Sequence, residues 1–148
     1  MAYASLEVEV NGADKDNELT RVLRELYCSV VHDGSVADNG FEINTQPTNG
    51  DLLFKNIDTI ANILHKKGAH LDARCGLHIH VDARDFLWYD VRRALKLWDN
   101  ISPELYKMIP ATRRSSRFCQ RNSFNLEKPT TREENKKLIW NILYGGRA

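Results

Sequence analysis

Apolar and polar residues alternate with a period of two in three segments of the chain. The segments are SLEVEV from Ser5, NGFEINTQP from Asn39 and GLHIHVD from Gly76. In each segment the apolar residues share one side and the polar residues share the other. This pattern is typical of strands that cover a core with one face. The sequence therefore predicts three such strands, and Pro47 ends the second of them.

Other segments repeat apolar residues at the spacing of an α-helix. Helices are predicted over residues 14–29, 48–67, 85–101 and 132–144, and a short one starts at Ser102-Pro103. Gly68 is expected to end the second helix, since glycine suits the left-handed ending of many helices. The third helix is expected to bury Leu87, Val91, Leu95 and Trp98.

The order of elements indicates the class of fold. VVHDGSV, residues 30–36, is predicted as a short strand that turns at Asp33-Gly34. The polar and basic stretch 110–131 is predicted to be mainly loop. Strands and helices in this order favour an α+β fold, with a largely antiparallel sheet and helices packed on one face.

Length and composition fit one globular domain. The chain has 148 residues, of which 42% are hydrophobic and 28% charged. A formal net charge of +1 argues against a protein that coats nucleic acid. No apolar run approaches the ~20 residues that cross a bilayer, and the first residues do not form a signal peptide pattern. Cys28, Cys75 and Cys119 match no zinc or disulfide spacing, so a cytoplasmic protein is expected.

The polar sides of the three alternating strands carry the candidate chemistry. Helices are expected to cover the apolar sides of all three strands, because the core lies there, so the polar sides share the opposite face of the sheet. That face would display Glu7, Glu9, Glu42, His78, His80 and Asp82. Crowded carboxylates shift their pKa values or bind a cation, and oxygens with an imidazole suit magnesium or manganese. Each residue alone is typical of a solvated strand position, so the coincidence on three strands favours a divalent metal site.

A second candidate feature is the arginine-rich stretch ATRRSSRFCQR. It contains Arg113, Arg114, Arg117 and Arg121. Guanidinium groups form paired hydrogen bonds with carboxylates and phosphates. Folded over the acidic face, this stretch would handle phosphate groups together with a metal; a solvated basic loop is the alternative. The chain has no Walker loop and no Rossmann fingerprint.

The motifs in this order resemble the amidoligase family. The matching segments are LEVEV, VVHDGSV, GFEINTQP, CGLHIHVDA and IPATRRSSRFC, within residues 6–119. The family belongs to the carboxylate–amine ligase superfamily, with glutamine synthetase and glutamate–cysteine ligase. The resemblance implies one domain over residues 1–148 with a glutamine-synthetase-like catalytic sheet. It also implies a reaction in which ATP and magnesium phosphorylate a carboxylate, and an amine then attacks the acyl phosphate.

The resemblance implies roles for individual residues. The metal ligands would be Glu7, Glu9, Glu42 and His78. The residues beside the nucleotide would be His80, Arg113 and Ser35. The catalytic residues would be Arg114, Arg117 and Asp33. Which of the two histidines binds metal stays open.

The chain also departs from the family pattern. Relatives continue past the arginine segment into a Glu-x-Arg strand, which is missing after Arg121, so residues 122–148 are expected to be divergent or truncated. The chain would then be a truncated part of a longer ligase or a shortened relative, or a second copy or partner chain would complete the site. The expected substrates are small-molecule or peptide carboxylates and amines, and the expected origin is a phage or mobile element.

Two other functions stay open. One is a non-catalytic binding or inhibitor protein on the amidoligase scaffold, which the missing Glu-x-Arg strand favours. The other is a metal-dependent hydrolase that uses the His-x-His strand. A hydrolase would need further ligands after Asp82, and the sequence offers no good candidates. Whether the chain is an enzyme on its own is therefore undecided from sequence.

Overall fold

The structure is a computed structural model that describes residues 2–32, 34, 36, 39–114, 131–134, 136 and 137. The chain divides into two compact units, Met1–Asp82 and Ala83–Ala148. The first unit contains β1 (Ala4–Val10), α1 (Asn17–Glu25), β2 (Ser29–Val31), β3 (Phe41–Asn44), α2 (Gly50–Lys66) and β4 (Leu77–Val81). The second unit contains α3 (Trp88–Met108) and α4 (Ala111–Arg114).

The four strands form one antiparallel sheet in the order β2-β3-β1-β4. β1 lies inside the sheet, where Glu7 pairs with Asn44 of β3 on one side and with His78 of β4 on the other. Directly paired residues of antiparallel strands project from the same face. The sheet therefore has one polar and one apolar face, as the alternation predicts, and the α+β fold is confirmed.

The core of the first unit lies on the apolar face over β1 and β3. Its buried cluster consists of Val10, Ala13, Leu19, Leu23, Phe41, Ile43, Ile60, Ile63 and Leu64. Both α1 and α2 contribute to this cluster, so the two helices pack on one face of the sheet. Among the described residues of this unit, no helix packs on the opposite face, which carries the polar side chains.

The apolar side of β4 lies outside this core. Leu77, Ile79 and Val81 are 57 to 65% exposed. The expectation that helices cover the apolar sides of all three alternating strands is therefore wrong for β4. β4 is an edge strand, and the helices cluster with the strands inside the sheet. Alternation tells which side chains share a face, but it does not tell whether another element covers that face.

α1 begins and ends with defined caps. The side chain of Asp16 accepts a hydrogen bond from the Leu19 N–H at 2.9 Å, which is an N-cap. At the other end, Tyr27 has a φ of 56°, and the Cys28 N–H donates to the Leu23 carbonyl at 2.8 Å. This is a Schellman ending in which tyrosine occupies the position that usually holds glycine.

α2 ends with the same backbone pattern. Gly68 has a φ of 74°, and the Ala69 N–H donates to the Leu64 carbonyl at 3.0 Å. The stop predicted at Gly68 is therefore confirmed. The helix starts at Gly50, two residues later than predicted.

Lys67, just after α2, connects this end to the start of α1. Its ammonium group lies 2.5 Å from Asp16 and 2.6 Å from Glu18, and the neighbouring Lys66 also binds Glu18 at 2.6 Å. The hydrogen bond with Asp16 is the main cause that raises the pKa of Lys67. These ion pairs fix the two helices against each other at one end.

In the second unit, α3 runs continuously through Pro103. The two helices predicted over 85–101 and from Ser102 are therefore one. Proline lacks the N–H that would bind the carbonyl four residues earlier, at Asp99. The Ser102 hydroxyl donates to that carbonyl at 3.4 Å instead. The Ser-Pro pair, which predicts a helix start, here lies inside a helix.

The burial of α3 also differs from the sequence prediction. Val91 and Leu95 are half-buried, but Leu87 and Trp98 are 55% and 42% exposed. The helical spacing of these apolar residues is correct. Periodicity does not show whether another helix or strand packs against them. Of the helix predicted over 132–144, positions 132–134, 136 and 137 are helical and the others lie outside the described residues. Among the helices described, none has the length and apolar character needed to cross a membrane.

Candidate functional site

The polar face of the sheet brings three carboxylates and two imidazoles onto neighbouring strands. Three cross-strand pairs define it: Glu7 with His78, Glu9 with Glu42, and Ser5 with His80. Directly opposed residues have Cβ atoms roughly 4.5–5.5 Å apart. The register therefore places the residues of the three sequence motifs side by side, as the shared phase of the motifs predicts.

The carboxylate of Glu7 lies between the two imidazoles. Its Oε2 is 2.7 Å from Nδ1 of His78, and its Oε1 is 3.0 Å from Nε2 of His80. The hydrogen bond with His78 is the main cause that lowers the pKa of Glu7 below its ordinary value of 4.5. Glu7 is therefore ionised at neutral pH, and it orients both rings toward the middle of the sheet.

Glu9 and Glu42 are the two acidic residues of the face that pair directly with each other. Glu9 is only 6% exposed, and it accepts a hydrogen bond from the Gly76 N–H at 2.7 Å. Glu42 accepts one from the Asn44 amide at 2.7 Å. Among the ion pairs of the described residues, none includes either glutamate. Like charges directly opposite each other destabilise a sheet, so a cation bound here would lower the energy of the pair.

Gly76 keeps space open beside this pair. A Cβ atom at Gly76 would lie 3.3 Å from Oε2 of Glu9 and 3.3 Å from Nε2 of His78. The Glu9 carboxylate and the His78 nitrogen that faces away from Glu7 therefore border the same gap. This explains on steric grounds why glycine suits this position of the Cys-Gly-x-His-x-His motif: any side chain would narrow the gap.

The carboxylates and imidazoles of the polar face are ligand types that suit a divalent cation, and they lie on the same face of the sheet. Carboxylate oxygens with an imidazole are the ligand set that magnesium or manganese accepts. In the present side-chain arrangement, no group of three or more His, Cys, Asp or Glu residues of the described part converges on one ion position. Glu7 is turned to the imidazoles and Glu42 to Asn44. The face therefore supplies suitable ligands, and their gathering around one ion is a proposal.

The remaining predicted site residues are distributed differently. Asp33, Ser35 and Arg117 lie outside the described residues. Arg113 and Arg114 belong to α4 in the second unit. Their assigned roles at the nucleotide and in catalysis stay predictions.

Arg114 has a structural contact that the sequence did not suggest. Its guanidinium donates to the carbonyls of Ile109 at 2.8 Å and Lys107 at 2.6 Å. These carbonyls are at the C-terminal end of α3, where a basic side chain also complements the helix dipole. An arginine-rich segment gives no sequence signal for such backbone contacts, because they depend on the path of the chain after the helix.

Asn11 and Cys75 form a contact beside the site that sequence reasoning missed. Asn11 is 2% exposed, and its side-chain amide donates to Sγ of Cys75 at 3.2 Å. Its backbone N–H and carbonyl both pair with His70. Burial is the main cause that raises the pKa of Cys75, so the thiol stays neutral. In the sequence, Asn11-Gly12 indicates only the end of a strand, and nothing in it shows that Asn11 is buried.

Comparison with known families identifies the protein class. The family model described as putative amidoligase enzyme matches residues 7–142. The chain therefore belongs to the amidoligase family, as its ordered motifs predict. The matched range includes the three glutamates and both histidines of the polar face. The comparisons with curated proteins and with solved structures gave no match.

Proposed function

We propose that this protein is an ATP- and magnesium-dependent carboxylate–amine ligase. The observation that carries the proposal is the direct pairing of Glu9 with Glu42 beside Glu7 and the histidine pair. This acidic position has no Lys or Arg partner in the described part of the chain. Membership of the amidoligase family supplies the reaction class.

In the proposed reaction an oxygen of the substrate carboxylate attacks the γ-phosphorus of ATP. The bond between that phosphorus and ADP breaks, and an acyl phosphate forms. The amine nitrogen then attacks the acyl carbon, phosphate leaves with the bonding electrons, and the nitrogen loses a proton. The products are an amide, ADP and phosphate. Such phosphoryl transfer depends on alignment and charge neutralisation more than on a nucleophilic side chain.

The proposed metal ligands are Glu7, Glu9, Glu42 and His78. When bound, the cation would neutralise charge on the transferring phosphoryl group. Glu9 offers a carboxylate already fixed by the Gly76 N–H. Glu7 holds the imidazole of His78 in place by a 2.7 Å contact. Both contacts reduce the motion that would be lost when an ion or phosphate binds.

The other roles follow the family resemblance. His80, Arg113 and Ser35 would contact the nucleotide, and Arg117 and Asp33 would contact the reacting groups. Arg114 is engaged with the end of α3, so a catalytic role requires it to exchange these carbonyls for phosphate or carboxylate oxygens. We expect small-molecule or peptide substrates, and a second copy or partner chain that completes the site.

The proposal is tested by incubating the full chain with ATP, magnesium and mixtures of amino acids and peptides. ADP release is measured, and amide products are identified by mass spectrometry. Glu9→Gln and Glu42→Gln should each reduce ADP release by about a hundredfold, as for loss of one charge-stabilising group. Glu25→Gln is the matched control, since Glu25 is exposed at the end of α1 and pairs with Arg21. Release that is unaffected by both site variants would contradict the proposal.

A non-catalytic binding protein is the second candidate. The contacts of Glu7 with both histidines favour it, because they satisfy the carboxylate without an ion. This candidate predicts that neither magnesium nor nucleotide binds by calorimetry, and that no ADP appears with any substrate mixture. Binding with turnover supports the ligase instead.

A further inference from the structure

A cavity of about 260 Å³ lies between α1 and the β2–β3 edge of the sheet. Its floor is formed by Leu19, Leu23 and Phe41, which are each at most 2% exposed. Phe41 pairs with Val10 on the apolar face. The cavity is therefore on the opposite face of the sheet from the glutamates and histidines.

Two cationic side chains line the mouth of this cavity. Lys15 Nζ lies 4.4 Å from the centre of the Phe41 ring, directly above the apolar floor. Arg24 lines the cavity one turn beyond Thr20 of α1. In the ion pairs of the described residues neither cation has a carboxylate partner.

The acids of α1 and its cap are engaged elsewhere. Glu25 binds Arg21 at 2.7 Å, and Asp16 and Glu18 bind Lys67. The mouth of the cavity therefore has a positive charge excess above an apolar floor. This combination selects a ligand with an apolar body and a negative end.

We propose that this cavity binds a small amphipathic carboxylate, such as an aromatic acid. The ring or chain of the ligand would lie on Leu19, Leu23 and Phe41, and its carboxylate would pair with Lys15 and Arg24. The volume is below the roughly 300–1,000 Å³ of sites for drug-sized ligands, so the ligand is small. The site is separate from the polar face, and it does not depend on the proposed ligase activity.

The test uses phenylacetate with the full chain. Phenylethanol is the neutral control, because it has the same phenyl ring and a chain of similar length but no carboxylate. NMR titration should shift the signals of Leu19, Leu23 and Val30 with phenylacetate. Phenylethanol should bind about tenfold more weakly, because it lacks the charge-assisted contacts. Equal affinities, or an absence of shifts at these residues, would overturn the proposal.

Variants locate the negative end of the ligand. Lys15→Gln and Arg24→Gln should each weaken phenylacetate binding and leave phenylethanol binding unchanged. Arg21→Gln is the matched control, since it removes the same charge from the same helix outside the cavity lining. A loss in Arg21→Gln equal to that in Lys15→Gln would show only a general effect of charge, and would reject the site.

Cys28 provides an independent readout. Its thiol lines the cavity, and burial raises its pKa. Saturating phenylacetate should slow alkylation of Cys28, followed by peptide mass spectrometry, and should leave Cys75 unchanged. Protection of both cysteines, or of neither, would contradict binding in this cavity.

Discussion

Glu9 of β1 pairs directly with Glu42 of β3, so two acidic residues are neighbours on the polar face. Glu9 is also nearly buried. Like charges on directly opposed residues destabilise a sheet, and a bound cation would offset this cost. The proposed metal site and the stability of the sheet should therefore depend on the same two residues.

Magnesium or manganese should raise the thermal stability of the full chain. At an ion concentration of about a hundred times Kd, the gain should be about 2.7 kcal/mol. Glu42→Gln should remove this gain in stability. In the presence of a chelator, the variant should be at least as stable as the natural chain, because it removes the repulsion between Glu9 and Glu42. Thermal unfolding with and without the ion measures both effects. A chelated Glu42→Gln that is much less stable than the natural chain would count against repulsion between the pair.

Gly76→Ala should weaken binding of the ion while the fold persists. The added Cβ would narrow the gap between Glu9 Oε2 and His78 Nε2, each 3.3 Å away. We expect about a tenfold increase in Kd for manganese, which corresponds to ~1.4 kcal/mol, by calorimetry. Gly34→Ala is the control, because a Cβ there meets nothing within 4 Å. Unchanged affinity in Gly76→Ala would mean that the ion does not use this gap.

Tyr27→Gly should stabilise the protein. Tyr27 closes α1 with a φ of 56°, a conformation that costs a residue with a Cβ about 1–2 kcal/mol. Its side chain is 77% exposed, so little packing is lost. Urea unfolding should show a gain of about 1 kcal/mol for glycine. Tyr27→Ala keeps the strained backbone and should show no such gain; equal gains for both variants would refute the explanation.

The cluster around Lys67 should make stability depend on pH at both extremes. The pKa of Asp16 is lowered from 3.8, mainly by the Leu19 N–H, and that of Glu18 from 4.5, mainly by Lys66. Their stabilisation is complete above these ordinary values and is lost as the pH falls through the lowered ones. The raised pKa of Lys67 has the opposite effect: its stabilisation is complete below 10.5 and is lost as the pH rises through the raised value.

Lys67→Gln should therefore lower the free energy of unfolding at neutral pH and flatten its decline in acid. Urea unfolding across the acid range measures both. Lys66→Gln is the comparison, because its side chain is 61% exposed against 11% for Lys67 and it contacts Glu18 alone. Its effect at neutral pH should be smaller. Equal losses of unfolding free energy in the two variants would contradict the larger contribution assigned to Lys67.

The sequence predicted the faces of the sheet well. Alternation in LEVEV and LHIHV identified which side chains share a face, and the pairing of Glu7 with His78 confirms the shared phase. Gly68 marked the end of α2 for a simple reason: its left-handed φ is accessible to glycine without strain.

Features that depend on the third dimension could not be predicted. Tyr27 ends α1 in a glycine-like conformation because the chain must turn into β2. A tyrosine at this position gives no sequence signal for that conformation. Pro103 is tolerated in α3 because Ser102 replaces the missing donor. The exposed apolar side of Ile79 depends on which strands the helices cover. Within the candidate site, the cross-strand pair of Glu9 and Glu42 required the register, which alternation alone does not fix.

The most direct test of the account is a manganese titration of the full chain, followed by NMR line broadening. We predict that the ring signals of His78 and the amide signal of Gly76 broaden first, because both groups border the gap beside Glu9. Glu9→Gln and Glu42→Gln should abolish this selective broadening. Manganese that leaves these two signals sharp while it broadens others would contradict a metal centre on the polar face.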